Sequence, residues 1–387
     1  MRIKLFKYTL TAALLSAAVL VCAQNQSAGI NLSLWNKIST QPYNENQRTY
    51  LNLGIQSKQN KLHGVSINLL GSHTLQTVKG IQLAGLSTIS GESVYGLQVA
   101  GLVSLNSVNA NGLSLSGLIN IVGESQHGVM VSGALNLIGI DTKGVTLAGL
   151  ANLGGYNSEG LAIAGLVNAF KEDVKGVSIA GLMQLSENTK GVSIAPLNLN
   201  SGQYKGVQLG LLNIGHKHQG LQLGLVNYYK EQMSGLQLGL INVNKNTKYD
   251  LLMYGGNQSK INLAVRFRNR LFYNVIGVGS PYLGFGDHFS GALNYRTGVH
   301  YPVSRNFELS TDLGYSHINT FANKNKQKAI PRRLYSLAYR LNAEYIPIPK
   351  WSVFFTTGYA TTRWYSQSRT HKKGFILEAG ISHRLYK

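Results

Sequence analysis

The segment Gly144-Val-Thr-Leu-Ala-Gly-Leu-Ala-Asn-Leu153 recurs with conservative changes as Gly176-Val-Ser-Ile-Ala-Gly-Leu-Met-Gln-Leu185. The leading glycine returns every 16 residues through the eighth unit, then at spacings of 15, 15, 14 and 15. The twelve leading glycines are Gly64, Gly80, Gly96, Gly112, Gly128, Gly144, Gly160, Gly176, Gly191, Gly206, Gly220 and Gly235. Such periodicity is typical of repeat architectures, in which a unit too small to fold alone is stabilised by its neighbours.

Within each unit, aliphatic residues stand one, three, six and nine positions after the leading glycine. The first two alternate with other residues, which predicts a short strand with one buried face. The following Ala-Gly pair breaks the alternation and predicts a bulge or corner. In the last four units one residue is lost inside this corner, so the shared asparagine moves from position eight to position seven. These asparagines are Asn120, Asn136, Asn152, Asn168, Asn198, Asn213, Asn227 and Asn242.

The pattern favours a β-solenoid in which each unit is one coil. Equivalent residues would then lie about 4.8 Å apart along the axis. Val and Ile would form aliphatic ladders, and Asn an amide ladder that satisfies its own polar groups. Segments 29–36 and 49–56 look like degraded units that cover the open edge of the array. The alternative, in which each unit is one strand of a large barrel, would place equivalent asparagines of antiparallel neighbours at opposite depths.

From about residue 248 the alternation becomes long and two-faced. Tyr335, Leu337, Tyr339 and Leu341 alternate with more polar residues, and an apolar face over about ten residues is typical of a membrane strand. Short and long connections also alternate, as in barrels with tight periplasmic turns and longer outer loops. We therefore predict an antiparallel transmembrane β-barrel of about eight strands, over residues 248–255, 260–268, 271–280, 289–302, 306–317, 333–347, 350–364 and 373–386.

Eight strands enclose little more than their own side chains. The inward positions of the predicted strands carry both carboxylates and guanidinium groups, which we expect to pair and fill the lumen. This expectation argues against an open pore, although a gated polar channel is an alternative. The residues concerned are Glu308, Asp312, Glu344, Glu378, Arg266, Arg268, Arg296, Arg340 and Arg384.

The N-terminus has the order of a secretory signal peptide. Three basic residues precede an apolar stretch over 8–21, and Val21-Cys22-Ala23 follows. Lipidation of Cys22 is the alternative. Because Cys22 is the only cysteine, cleavage after Ala23 would exclude disulfides and cysteine metal sites. The predicted organisation is a signal peptide over 1–23, an N-terminal cap with degraded repeats over 24–63, repeats over 64–247 and the barrel over 248–387.

The formal net charge of +21 suggests an anionic partner. Export argues against nucleic acid, so we expect outer-membrane lipid and the phosphates of surface glycolipid. Two predicted outer loops are basic, through Lys324, Lys326, Lys328, Arg332 and Arg333, and through Arg369, Lys372 and Lys373.

The sequence contains no recognisable catalytic or cofactor-binding pattern. There is no Gly-x-Ser-x-Gly elbow, and acidic residues are too scarce in the array for a glycosidase pair. His216 and His218 flank one lysine, but no third ligand recurs beside them, and His127 is isolated. We therefore predict no catalytic residues, no cofactor and no metal site.

The runs Gly206-Val-Gln-Leu-Gly-Leu-Leu-Asn213 and Gly220-Leu-Gln-Leu-Gly-Leu-Val-Asn227 resemble the Gly-Val-x-Leu-x-Gly-Leu-x-Asn units of bacterial surface-repeat outer-membrane proteins. The resemblance covers about half of the chain and implies a repeat type without catalytic residues. It implies a non-enzymatic cell-surface protein in which a barrel anchor presents the array for structural or adhesive contacts with an external or periplasmic protein. An outer-membrane channel or transport protein is the alternative, and a carbohydrate-active β-helix is disfavoured by the acid-poor array.

Overall fold

The computed structural model describes residues 29–36, 38–41, 47–284, 288–323, 332–366 and 369–385. The predicted signal peptide and Cys22 lie outside these residues. The chain divides into two compact units, 1–220 and 221–387. No helix in the described ranges is long and apolar enough to cross a membrane.

The first unit is built from short strands. Their bounds are β1 Ile30–Trp35, β2 Ile38–Ser39, β3 Arg48–Gln59, β4 Lys61–Thr74, β5 Val78–Ala84, β6 Ser87–Ser90, β7 Val94–Ala100, β8 Val103–Asn106, β9 Ala110–Ser116, β10 Ile119–Val122, β11 Gln126–Ser132, β12 Leu135–Ile138, β13 Thr142–Ala148, β14 Ala151–Gly154, β15 Ser158–Ala164, β16 Val167–Phe170, β17 Asp173–Ala180, β18 Met183–Ser186, β19 Asn188–Ile194, β20 Leu197–Asn200, β21 Gln203–Leu209 and β22 Leu212–Leu223. The boundary between the units falls within β22.

Each repeat from the one led by Gly80 onward in this unit contributes one coil, with a longer and a shorter strand. In the coil led by Gly144, β13 and β14 are separated by a two-residue corner at 149–150. Both strands pair in parallel with their equivalents: Gly144 lies opposite Gly128 and Gly160, and Asn152 opposite Asn136 and Asn168. The predicted solenoid is confirmed, and the single large barrel is wrong because the repeats pair in parallel.

The leading glycines are required by the backbone. Gly144 has a φ of 124°, a conformation that residues with a Cβ rarely adopt. A Cβ at this position would also overlap the carbonyl oxygen of Gly128 in the preceding coil. The same two conditions hold for Gly160 against Gly144, which explains why the glycine spacing matches the coil length.

The predicted amide ladder runs through the coil interior. The Nδ2 atoms of Asn120, Asn136 and Asn152 donate to the Oδ1 of the next asparagine at 3.0, 2.8 and 2.8 Å, ending at Asn168. The degraded N-terminal units share the arrangement, because Asn31 donates to Asn52 at 2.8 Å and Asn52 donates to a further asparagine at 3.1 Å. Asn136 and Asn152 therefore each bond to the asparagines of both neighbouring coils.

The direction of the two strand faces is the main departure from expectation. Thr146, Ala148 and Asn152 are buried, whereas Val145 and Leu147 are half-exposed. The aliphatic ladders exist but face outward. The amide ladder fixes this choice, because asparagines can bond to one another only inside the stack, and small or polar residues opposite them let the strands approach.

The second unit contains two further repeat strands and a closed barrel. Its strands after β22 are β23 Val226–Leu238, β24 Ile241–Asn244, β25 Lys248–Gly256, β26 Ile261–Arg268, β27 Phe272–Ser280, β28 Leu283–Gly284, β29 His288–Pro302, β30 Phe307–Asn323, β31 Arg333–Ile348, β32 Trp351–Trp364 and β33 Thr370–Arg384.

Eight of these strands form the barrel. Antiparallel pairing runs in the order β25, β26, β27, β29, β30, β31, β32 and β33, and β33 pairs with β25 to close the ring. The predicted antiparallel eight-stranded barrel is confirmed. Its strands differ from the predicted bounds mainly at β30, which continues six residues past 317 because it remains paired with β29.

Candidate functional site

The barrel interior holds a buried network of ion pairs. Arg266 donates from Nη1 and Nη2 to the two oxygens of Glu344 at 2.7 and 3.0 Å. Its Nε donates to Asp250 at 2.7 Å. Arg268 bridges Asp250 at 2.6 Å and Glu308 at 2.7 Å. Bidentate pairing of this kind satisfies a buried guanidinium fully.

A second cluster lies further along the barrel. Glu378 accepts from Arg296 at 3.1 Å and from Arg340 at 3.3 Å, and Arg340 lies 3.8 Å from Asp312. The ninth predicted residue, Arg384, lies 3.8 Å from Glu344. Eight of the nine charged residues that we expected to line the lumen are buried inside it, and the side chain of the ninth, Arg384, is 12% exposed.

Asp250 is the member that sequence reasoning missed. Its side chain is fully buried and binds two arginines. The sequence did contain a signal for it, because Asp250, Leu252 and Tyr254 occupy every second position and share the inward face of β25. With this acid included, the paired and buried charges obstruct the lumen rather than line a water-filled path.

A cationic cavity opens at the end of the barrel where the turns are short. It has a volume of about 530 Å3. Its charged lining is mostly basic, with Glu308 as the carboxylate and His300 beside it. The basic residues are Lys248, Arg268, Arg270, Arg305 and Arg384. An anionic group suits this cavity better than a cation.

A polar seam joins the last repeat coil to the outer wall of the barrel within the second unit. Asn242 donates to Asn274 Oδ1 at 2.6 Å. Asn274 in turn donates to the hydroxyl of Tyr295 at 2.8 Å, and that hydroxyl donates to the carbonyl of Gly239 at 2.9 Å. We refer to Asn242, Gly239, Asn274, Tyr295 and Asn269 as the seam.

Asn269 extends the seam at the adjoining turn. Its Oδ1 accepts from Asn244 at 2.9 Å and from Thr247 at 2.6 Å, and its Nδ2 donates to the carbonyl of Asn242 at 3.2 Å. The amide ladder enters the same seam, because Asn227 donates to Asn242 at 2.7 Å. The ladder of this unit therefore ends on the barrel wall.

The position of Asn274 shows that the seam lies on the outside of the barrel wall. On β27, Tyr273 and Val275 point into the barrel core, so Asn274 points outward. It is nevertheless only 2% exposed, because the last coil covers it. Sequence reasoning missed the seam, and the one available signal was an asparagine at an outward position between Phe272 and Ile276.

The other predicted residues are scattered. In the basic loops, the described members Arg332, Arg333, Arg369, Lys372 and Lys373 are exposed, whereas Lys324, Lys326 and Lys328 lie outside the described residues.

The histidines also fail to form a site. His218 is buried and stacked on Tyr204, with ring centroids 5.2 Å apart. Burial lowers the pKa of His218 to about 4 and raises the pKa of Tyr204 to about 12. His127 is exposed at the start of strand β11. In the described part of the chain, no three His, Cys, Asp or Glu side chains are grouped to hold a metal ion.

No protein-family model matches the chain, and no curated protein matches it. Among solved structures it is similar to Neisserial surface protein A, at 8% identity over 35% of this chain and 94% of that chain, with a TM-score of 0.26. The N-terminal β-barrel domain of Pseudomonas aeruginosa OprF matches at 7% identity over 36% and 96%, with a TM-score of 0.26. The Yersinia pestis outer membrane protein Ail matches at 15% identity over 36% and 100%, with a TM-score of 0.24.

Proposed function

We propose that the protein is a non-enzymatic component of the bacterial outer membrane, in which the barrel is the anchor and the repeat array provides structural or adhesive contacts. The observation that carries this proposal is the polarity of the barrel. Leu337, Tyr339 and Leu341 face outward and stay half-exposed, whereas Arg340 and Glu344 between and beside them are buried and paired. Such a wall suits hydrocarbon outside and satisfied charges inside.

Aromatic residues at one end of the barrel support the same orientation. Tyr301, Tyr345 and Trp351 are exposed near the short turns. Tyr and Trp concentrate at membrane–water interfaces because their rings are apolar and their polar atoms remain hydrated. The short turns are then periplasmic, and the basic loops at the other end face outward, toward the phosphates of surface glycolipid.

The ion pairs favour an anchor over a channel. A conducting path through the barrel would have to break pairs such as Arg266–Glu344 and leave buried charges without partners, which typically costs 3–5 kcal/mol for each pair. The same interior offers no reactive arrangement for an enzyme, because its carboxylates are held by arginines rather than left available to a substrate.

The proposal is tested by combining membrane fractionation, conductance and protease shaving. We expect the protein in the outer-membrane fraction, with no steady conductance when reconstituted into planar bilayers. An epitope tag at the turn near Asn157 reports the side of the array: loss of the tag from intact cells supports external contacts, and loss only after permeabilisation supports periplasmic contacts. A soluble protein, or a steady ion-selective current, would contradict the proposal.

A further inference from the structure

We infer that the outward aliphatic surface of the solenoid is a lipid-contacting surface that rests among the acyl chains of a single membrane leaflet. The inference rests on the proposed function in one respect, namely that the barrel of the same chain is inserted in a membrane. It adds an interaction surface and a partner of defined chemistry to a part of the molecule that otherwise has neither.

The first support is the distribution of charge. Between residues 79 and 206, every Asp, Glu, Lys and Arg lies in or next to the turns that connect successive coils. Where charged residues fall within a strand, they occupy its first three positions, before the leading glycine, and the remainder of the strand and the corner carry none. The charge-free segments of the successive coils are 80–90, 96–106, 112–122, 128–138, 144–154, 160–170, 176–186, 191–200 and 206–215.

The second support is the shape of the apolar surface. The corner of most coils carries a leucine that is 42% to 56% exposed, and together these leucines form a ridge. Its members in the first unit are Leu86, Leu102, Leu118, Leu150, Leu166, Leu182 and Leu211. Aliphatic residues continue along the strands on both sides of the ridge, as Val145, Leu147 and Leu153 do in one coil.

The dimensions of this surface match a leaflet. Five residues separate the ridge residue Leu150 from Val145, or at most about 16 Å along an extended strand. Half of the hydrocarbon core is about 15 Å. At the opposite edge of the coils, Tyr95 and Tyr156 are exposed on or beside the charged turns, where interfacial aromatic residues are expected.

The interior is compatible with contact to hydrocarbon. Backbone groups of each inner coil bond to the coils on both sides, as for β13 between β11 and β15. The corner is satisfied as well, since Leu150 N donates to Ala134 O at 2.9 Å. Polar side chains point inward and form the amide ladder. Unsatisfied backbone groups are what exclude most irregular structures from a bilayer, and the inner coils avoid that cost.

The seam provides an independent indication of depth. In the second unit the last coil covers Asn274, at an outward position of the barrel wall, and bonds to Tyr295 on the next strand. A coil docked on a wall that faces lipid is itself at the level of the membrane. Its corner residue Leu240 and the preceding Leu225 are 42% and 50% exposed, as on the ridge of the first unit.

A second copy of the chain explains the surface less well than lipid does. A two-fold interface uses one patch on each copy, whereas the aliphatic positions lie on both sides of the ridge. Protein interfaces also keep polar residues at the rim and are seldom free of charge over so long a surface. Lipid can cover a ridge and both its flanks at once.

Site-directed spin labels test the inference in nanodiscs. The full chain carries Cys22→Ala to remove its only cysteine, and single labels are placed at Leu150→Cys and Leu240→Cys. Leu337→Cys on the barrel wall is the membrane control, and Arg369→Cys on an exposed basic loop of the barrel is the aqueous control. Collision with oxygen, which concentrates in lipid, is compared with collision with a water-soluble nickel chelate.

We expect the labels at 150 and 240 to match the label at 337, with frequent oxygen collisions and at least tenfold fewer nickel collisions than at 369. Nickel access at 150 equal to that at 369, with 337 protected, would overturn lipid contact while leaving the membrane anchor intact. Protection of 150 from both reagents would also overturn it and would indicate a second copy or another protein. Nickel access at 337 would instead overturn the proposed anchor.

Discussion

Removal of one rung from the amide ladder gives the most direct measure of what holds the solenoid together. Asn152 accepts a bond from Asn136 at 2.8 Å and donates to Asn168 at 2.8 Å and to the carbonyl of Ile163 at 2.9 Å. In the Asn152→Ala variant, Asn168 Oδ1 and the Ile163 carbonyl lose this donor, and Asn136 keeps only its 2.9 Å bond to Leu147 O.

Each buried polar group that is left without a partner costs about 1–3 kcal/mol. The unpartnered Oδ1 of Asn168, the lost side-chain bond to the Ile163 carbonyl and a small cavity together give an expected loss of about 3–5 kcal/mol in the local free energy of unfolding. Native-state hydrogen exchange measures that quantity for individual amides. Exchange through local opening in the coils led by Gly128, Gly144 and Gly160 should accelerate by about a hundredfold or more, since every 1.4 kcal/mol is a factor of ten.

The matched control is Asn157→Ala in a turn of the same coil. Asn157 donates to Asp141 at 2.9 Å but is only half-buried, so water can replace the lost bond and the expected cost is below about 1 kcal/mol. Equal exchange in the two variants would refute the reasoning, because it would mean that the ladder contributes no more than a solvated turn.

Two further predictions concern buried ionisable groups. Glu344→Gln removes the bidentate carboxylate partner of Arg266 and should destabilise the barrel by about 3–5 kcal/mol. In detergent, the electrophoretic band of the folded protein should then be lost at a lower temperature. The control variant Glu124→Gln on an exposed turn should leave this temperature unchanged, and an unchanged temperature for both variants would count against the network. Burial lowers the pKa of His218 from its ordinary value of 6.5 to about 4 in the fold, so the stabilisation from this neutral side chain is present above pH 6.5 and is lost as the pH falls from 6.5 toward 4. The free energy of unfolding should fall by about 2 kcal/mol between pH 7 and pH 5, with faster hydrogen exchange of nearby amides. The His218→Phe variant should retain the stack on Tyr204 and remove this pH dependence. A pH dependence that persists in the variant would exclude His218 as its source.

The repeats and the barrel strands could be predicted because in both the backbone geometry requires particular residue types at regular positions in the sequence. A glycine at position 144 is required by its φ and by the closeness of Gly128 in the preceding coil, so the glycine spacing reports the coil length whatever the surroundings. The barrel strands are equally readable, because an eight-stranded ring needs long strands whose residues alternate between charge pairs and an apolar wall, as Arg340 and Leu341 do.

The direction of the solenoid faces was not predictable from alternation. Val145 and Thr146 lie on opposite faces, and neither carries a charge, so the pattern specifies two faces without deciding which one is inside. The choice depends on contacts between coils, above all the bond from Asn136 to Asn152. The seam is still less visible, because Asn242 and Asn274 are 32 residues apart and meet only when the last coil packs against a closed barrel.

The solenoid and the barrel follow the same rule of construction, which is the reverse of the rule for proteins in water. Both place satisfied polar groups inside, in the amide ladder around Asn152 and in the Arg266–Glu344 pair, and both place aliphatic residues outside. The solenoid also buries aliphatic side chains such as Val122 and Ile138, but in water its outward aliphatic surface would add little to the hydrophobic effect, because that surface stays exposed. In contact with hydrocarbon the same surface avoids the unfavourable free energy of exposure to water, and the interior hydrogen bonds become stronger in a medium of low dielectric. It follows that the Asn152→Ala variant should lose more stability in nanodiscs than in small detergent micelles, where water reaches the unpartnered Oδ1 of Asn168. Equal losses in the two environments would mean that the coils are surrounded by water in both.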